Sequence, residues 1–148
     1  MKGSTMQIYR ALGVAFACVG LVVPSSLGQE TPPPQRVEIP GSATSLEGIP
    51  TVRIDSAEGT TTRQLLDAAE AAKARLTVRV IDGQFYWTTR GDRLLRLNSS
   101  GEFTYLSSEP GQYIRLTRIN DKISYVEHVD LPSGSVTWFG ELRIVVGK

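Results

Sequence analysis

Between residues 78 and 146 the chain carries seven short apolar runs. They are broken at Asp82-Gly83, Gly91-Asp92, Ser100-Gly101, Pro110-Gly111, Asn120-Asp121 and Pro132-Ser133-Gly134. Short apolar runs with a turn about every ten residues fit an antiparallel β meander. Parallel pairing would need a crossover of a dozen or more residues between strands, and no such length is left. All nine aromatic residues beyond position 28 lie in the same stretch, as expected of a sheet that packs them. The expected fold is therefore mainly β: an antiparallel meander of about seven strands, as a curved sheet or small barrel, with one N-terminal cover helix.

Side chains alternate faces along a strand. Asp82-Gly83 is the strongest hairpin signal. Beyond it Phe85, Trp87 and Thr89 fall on one face, and Tyr86, Thr88 and Arg90 on the other. Near the C-terminus Val136 and Trp138 share a face, with Trp138 expected in the core. Gly140 interrupts the last run and marks a bulge or bend.

The first 28 residues read as a secretory signal peptide. Lys2 and Arg10 form the positive region, 11–23 is uncharged and apolar, and Ser26 and Gly28 stand at −3 and −1 of a cut before Gln29. Thirteen apolar residues fall short of the roughly 20 that span a bilayer core, so no stable membrane span is expected after cleavage. Retention as a membrane anchor is the rival reading, and a cut at a lipidated Cys18, which would divide the apolar run, is a third. With the ordinary cut Cys18 leaves, and the mature chain has neither disulfide nor thiol chemistry. The expected location is periplasmic or extracellular, in a bacterial host.

Residues 29–50 contain five prolines, which oppose regular helix and central strand. They read as a semi-rigid linker, leaving 51–148 as a single β-rich domain. Residues 51–54 suit a short strand. Thr61 and Gln64 have capping-box spacing. Leu65, Ala69, Ala72 and Leu76 then follow at helical intervals. The reading is a helix over 62–74 that covers the sheet.

Charge narrows the partners. The chain has 16 basic and 15 acidic residues, and no basic stripe of the kind nucleic-acid binding requires. No motif supports a cofactor or a metal. One histidine without cysteine makes a poor zinc set.

The chemistry-bearing residues are few. Glu127 shares a strand face with Ile123, Tyr125 and Val129, so it points inward if that face is core. A buried carboxylate needs a partner or shifts its pKa, and a Tyr hydroxyl or an inward Arg would serve. His128 shares the other face with Ser124, Val126 and Asp130. Asp130 could orient His128 as a general base, but no nucleophile accompanies them. The weak catalytic candidates are thus Glu127, His128 and Asp130, with Asp92 as a possible second carboxylate. The weak ligand-binding candidates are Glu127, Tyr86 and Phe139, the last two because each lies opposite the Trp of its own strand. Arg90-Gly91-Asp92 spells an adhesion tripeptide, but Gly-Asp is ordinary turn chemistry. Asn98-Ser99-Ser100 fits a glycosylation acceptor in an expected turn. The functional expectation is an exported binding or interaction module for a small ligand, a surface polymer or another protein. The alternatives are a hydrolase around Glu127–Asp130 and a structural envelope or matrix component.

Overall fold

A computed structural model describes residues 32–147. The leader, Cys18 and the first residues of the expected linker lie outside the described residues. In chain order the elements are β1 (Ala43–Ala57), β2 (Thr60–Leu65), α1 (Ala68–Lys73), β3 (Leu76–Ile81), β4 (Gln84–Trp87), a 3-10 turn (Thr88–Arg90), β5 (Arg93–Ser100), β6 (Phe103–Glu109), β7 (Gln112–Ile119), β8 (Lys122–Leu131) and β9 (Gly134–Val146). Strands β3 to β9 are the seven-strand meander that the turn spacing predicts. Every neighbouring pair is antiparallel.

The sheet closes. β9 returns to β1 and pairs with it from Ala43 to Ala57, while Ser45–Gly48 of β1 pairs with β3. The result is an eight-strand barrel with β2 as an extra strand on the C-terminal half of β1. Closure removes the open edges of those eight strands. The Asp82-Gly83 hairpin forms as expected. Both residues have positive φ, 51° and 75°, and they join Ile81 to Gln84, which suits a two-residue turn between twisted strands.

The barrel interior is filled. Leu46, Leu76, Val78, Trp87, Leu106, Ile114, Leu116 and Tyr125 are almost fully buried. Their parity follows the alternation read from the sequence, and Trp138 is buried as expected. Two glycines permit the closure. A Cβ at Gly48 would stand 2.6 Å from the Tyr125 ring, so the missing side chain makes room for that ring. Gly140 lies against the Ile49–Pro50 backbone where β9 meets β1. Gly140 was expected to mark a bulge or bend, and a register shift falls opposite it, on β1 between Pro50 and Val52.

The N-terminal part corrects three expectations. The 29–50 linker reading fails from residue 43 onward, because Ala43–Ala57 is one continuous strand. Pro50 is accommodated at the register shift, where a residue without an N–H is tolerated. The preceding residues also pack. Gln35 exchanges two 2.8 Å backbone hydrogen bonds with Arg118. Val37 is 2 % exposed and joins the core, and Thr104 Oγ1 donates to the Val37 carbonyl at 2.7 Å. Residues 35–39 thus close one end of the barrel.

The helix is shorter than 62–74. Residues Thr60–Leu65 form β2, joined to β1 by Glu58-Gly59, both at positive φ. Three threonines favour strand over helix, and pairing with β1 decides the matter. The capping box sits six residues later than expected. The Asp67 side chain accepts from the Ala69 and Glu70 amides at 2.9 Å, and Glu70 accepts from the Asp67 amide at 3.1 Å. Asn98-Ser99-Ser100 is also not a turn; it ends β5.

Candidate functional site

Glu127 is the buried charge of the barrel. It stands on β8 between Ile114 of β7 and Trp138 of β9, and it is 1 % exposed. Its partner is an inward arginine. Arg90 Nη2 lies 2.8 Å from Glu127 Oε1. The alternation had placed Arg90 on the outer face with Tyr86. The 3-10 turn at Thr88–Arg90 ends that alternation after Trp87 and swings Arg90 over the barrel mouth. The signal for it was Glu127 itself, since an inward carboxylate demands a cation or donor.

Two tryptophans complete the surroundings. The Arg90 guanidinium carbon lies 4.5 Å from the Trp138 ring centroid and 6.0 Å from that of Trp87. Burial raises the Glu127 carboxyl to about 7, against the pull of the Arg90 charge and the Trp87 indole N–H. Burial, reinforced by the Glu127 charge, also pushes the Tyr125 phenol well up.

The polar atoms here are poorly matched to one another. Trp138 Nε1, Arg90 Nε and Tyr125 Oη are buried without a hydrogen-bond partner. Arg90 Nη2, 2.8 Å from Glu127 Oε1, and the Trp87 indole N–H both act on the Glu127 carboxyl. Two cavities flank Arg90. One, of about 350 Å³, runs between Trp138, Leu66 and α1 residues Glu70 and Lys73. The other, of about 460 Å³, runs past Arg93, Gln112 and Val129.

Of the remaining sequence candidates Asp130 reaches this site, as part of the lining of the second cavity beside Arg90; the others do not join it. His128 and Asp130 lie on the outer face, as their parity predicts. His128 Nε2 is 3.1 Å from Asp130 Oδ1, its Nδ1 is 2.8 Å from Thr137 Oγ1, and its ring stacks on Tyr113. The sheet separates His128 from Glu127. Asp92 sits 3.8 Å from Arg79 instead. The adhesion tripeptide is not displayed either, because Arg90 turns inward.

Tyr86 and Phe139 are half-buried on the outer face and stand far apart. Tyr86 aligns through Arg79 with Ser45 of β1, whereas Phe139 pairs with Val52. That is a separation of roughly 23 Å at about 3.3 Å per residue. They form no common surface. A surface cavity of about 470 Å³ contains Glu47, Arg75 and Arg143. There Arg143 first, and then Arg75, hold the Glu47 carboxyl below its usual range, and the three charges satisfy one another.

Among the described residues no three His, Cys, Asp or Glu side chains come together as metal ligands, and no helix is long and apolar enough to cross a membrane. No protein-family model, curated protein or solved structure matches the chain.

Proposed function

We propose that the chain is an exported binding module that takes a small ligand at the barrel mouth around Arg90, Trp138 and Glu127. The observation that carries this reading is the set of buried polar atoms without aligned partners at that mouth. An unmet buried donor or acceptor costs about 1–3 kcal/mol. An eight-strand barrel can fill its interior with apolar side chains alone. Polar groups kept unpaired next to two cavities are therefore best explained by a guest that pairs with them. The hydrolase reading loses support, because Glu127 lies on one face of the sheet and His128 with Asp130 on the other.

One observation favours assembly as a second reading. All six residues of β2 are exposed, and β2 ends the strand order on the side away from β1. Such an edge can add to another sheet. Native mass spectrometry of the exported, mature protein separates the two readings. The ligand reading predicts a mass above that of the bare chain by up to a few hundred daltons, absent from Trp138→Ala. A bare monomer in both proteins, with no ligand recovered, would sink it. A clean multiple of the chain mass would favour assembly.

A further inference from the structure

We infer that Trp87, Trp138 and Glu127 form a cage for an organic cation, and that Arg90 is a resident occupant which a guanidinium- or ammonium-bearing ligand displaces. The inference rests on the mouth reading above and names the ligand class. A cation over an indole face is attracted by the ring quadrupole when it lies within about 6 Å of the centroid. Here two indoles converge on one guanidinium, at 4.5 and 6.0 Å. A buried carboxylate at 2.8 Å supplies the countercharge. This is the chemistry of a cation site, already filled from within.

Arg90 fills it imperfectly. Its Nε is buried without an acceptor, and the ion pair shows one contact, from Nη2 to Glu127 Oε1, rather than a two-pronged one. A free ligand, not tied to the backbone at Arg90, can turn its N–H groups onto both carboxylate oxygens. Displacement also has somewhere to go. Arg90 lines both flanking cavities, so its side chain can leave the cage into either one. It sits on the short connection from β4 to β5, just before Gly91 and Asp92, both in left-handed conformation at φ 76° and 53°. The rim does not oppose entry as strongly as its arginines suggest. Arg53 pairs with Asp55, and Arg93 with Glu109. Lys73 remains as a charge that would favour an anion instead, so anion binding is the rival outcome.

The chain has two tryptophans, and both stand in the cage, so intrinsic fluorescence reports on it directly. Ethylguanidinium is titrated against wild type and Arg90→Ala, with propionate and propanamide as anionic and neutral probes of similar size. Ethylguanidinium is expected to bind Arg90→Ala saturably in the millimolar range, and wild type between tenfold and a hundredfold more weakly because Arg90 competes. Adding Glu127→Gln to Arg90→Ala should weaken binding tenfold or more. If Arg90→Ala does not fold, Arg90→Met, which keeps an unbranched stem, replaces it. A Gly-Arg-Gly peptide tests whether the cation can arrive on a peptide; binding equal to that of ethylguanidinium would point to a protein-borne arginine, and weaker binding to a free small molecule.

Three results overturn the inference, in distinguishable ways. Propionate or propanamide binding as tightly as ethylguanidinium would keep the mouth as a ligand site and remove the cation class. Binding by Arg90→Ala with none by wild type at 100-fold higher probe would make Arg90 a permanent structural partner. No binding of any probe by a folded variant would remove both the cage and the mouth site.

Discussion

When ionised, the Glu127 carboxylate holds its charge among Trp, Tyr, Leu and Ile side chains, with Arg90 as its ion-pair partner. Taking a charge out of water costs several kcal/mol unless geometry and hydrogen bonds repay it. Here the repayment is partial, which is why the carboxyl rises to about 7. The consequence for stability follows from linkage. The folded protein binds this proton more tightly than the unfolded chain does. The charge on Glu127 therefore costs nothing below the ordinary carboxylate range, about 4.5, and the cost grows as pH rises to about 7 and then levels off. A shift of this size corresponds to roughly 3 kcal/mol. Urea midpoints at pH 4.5, 6 and 8 should fall with pH in the wild type and fall much less in Glu127→Gln. A wild-type profile flat between 4.5 and 7 would show that Arg90 and its neighbours compensate the charge in full. Glu47 acts in the opposite direction and in another window. Its carboxyl is held low, so its contribution is present above its unfolded pKa and is lost as pH falls below that range.

At the scale of elements, α1 and β2 show how one motif can be misplaced by six residues. Thr61 and Gln64 have the spacing of a capping box, and so do Asp67 and Glu70. Local sequence alone does not rank them. Position 61 is drawn into β2 because Val52–Ala57 of β1 offers it a complete antiparallel register. The helix then begins at the next box, after Leu66. Asp67→Ala should cost about 1 kcal/mol, read by chemical denaturation, whereas Thr61→Ala should stay within about 0.5 kcal/mol. Equal losses at both positions would restore Thr61 as a cap. The Ala-rich run Ala68–Lys73 was legible through its propensity. The length of the helix was not, because strand pairing is a contact with another part of the chain.

For the whole molecule, the decisive event is the return of β9 to β1. It converts an open meander into a barrel, leaving two ends to be closed. One end is closed by residues 35–39, the other by Arg90. The first closure predicts that the segment stabilises the domain. A chain beginning at Pro40 should lose about 1.5–3 kcal/mol for the burial of Val37, and more because Thr104 is left without its acceptor. Thermal unfolding of the truncated and full chains tests this. Unchanged stability would return the segment to the status of a tether.

The sequence by itself determined the seven strands β3–β9, their turns, their antiparallel sense and the parity of nearly every side chain. Each of these follows from local rules, since the two-residue period and the turn residues act between neighbours in the chain. That reach extended to the burial of Trp138 and to Glu127 and His128 lying on opposite faces, but which of the two points into the core was left open, and the closed barrel decided for Glu127. The reach stopped at what depends on distant residues meeting. Closure needed β1, whose proline had marked it as linker until a register shift opposite Gly140 gave Pro50 a place. Arg90 needed a turn that breaks strand parity at its last step. The site itself, two indoles and a guanidinium gathered on one carboxylate, draws on β4, the turn after it, β8 and β9. Only the closed barrel brings those together.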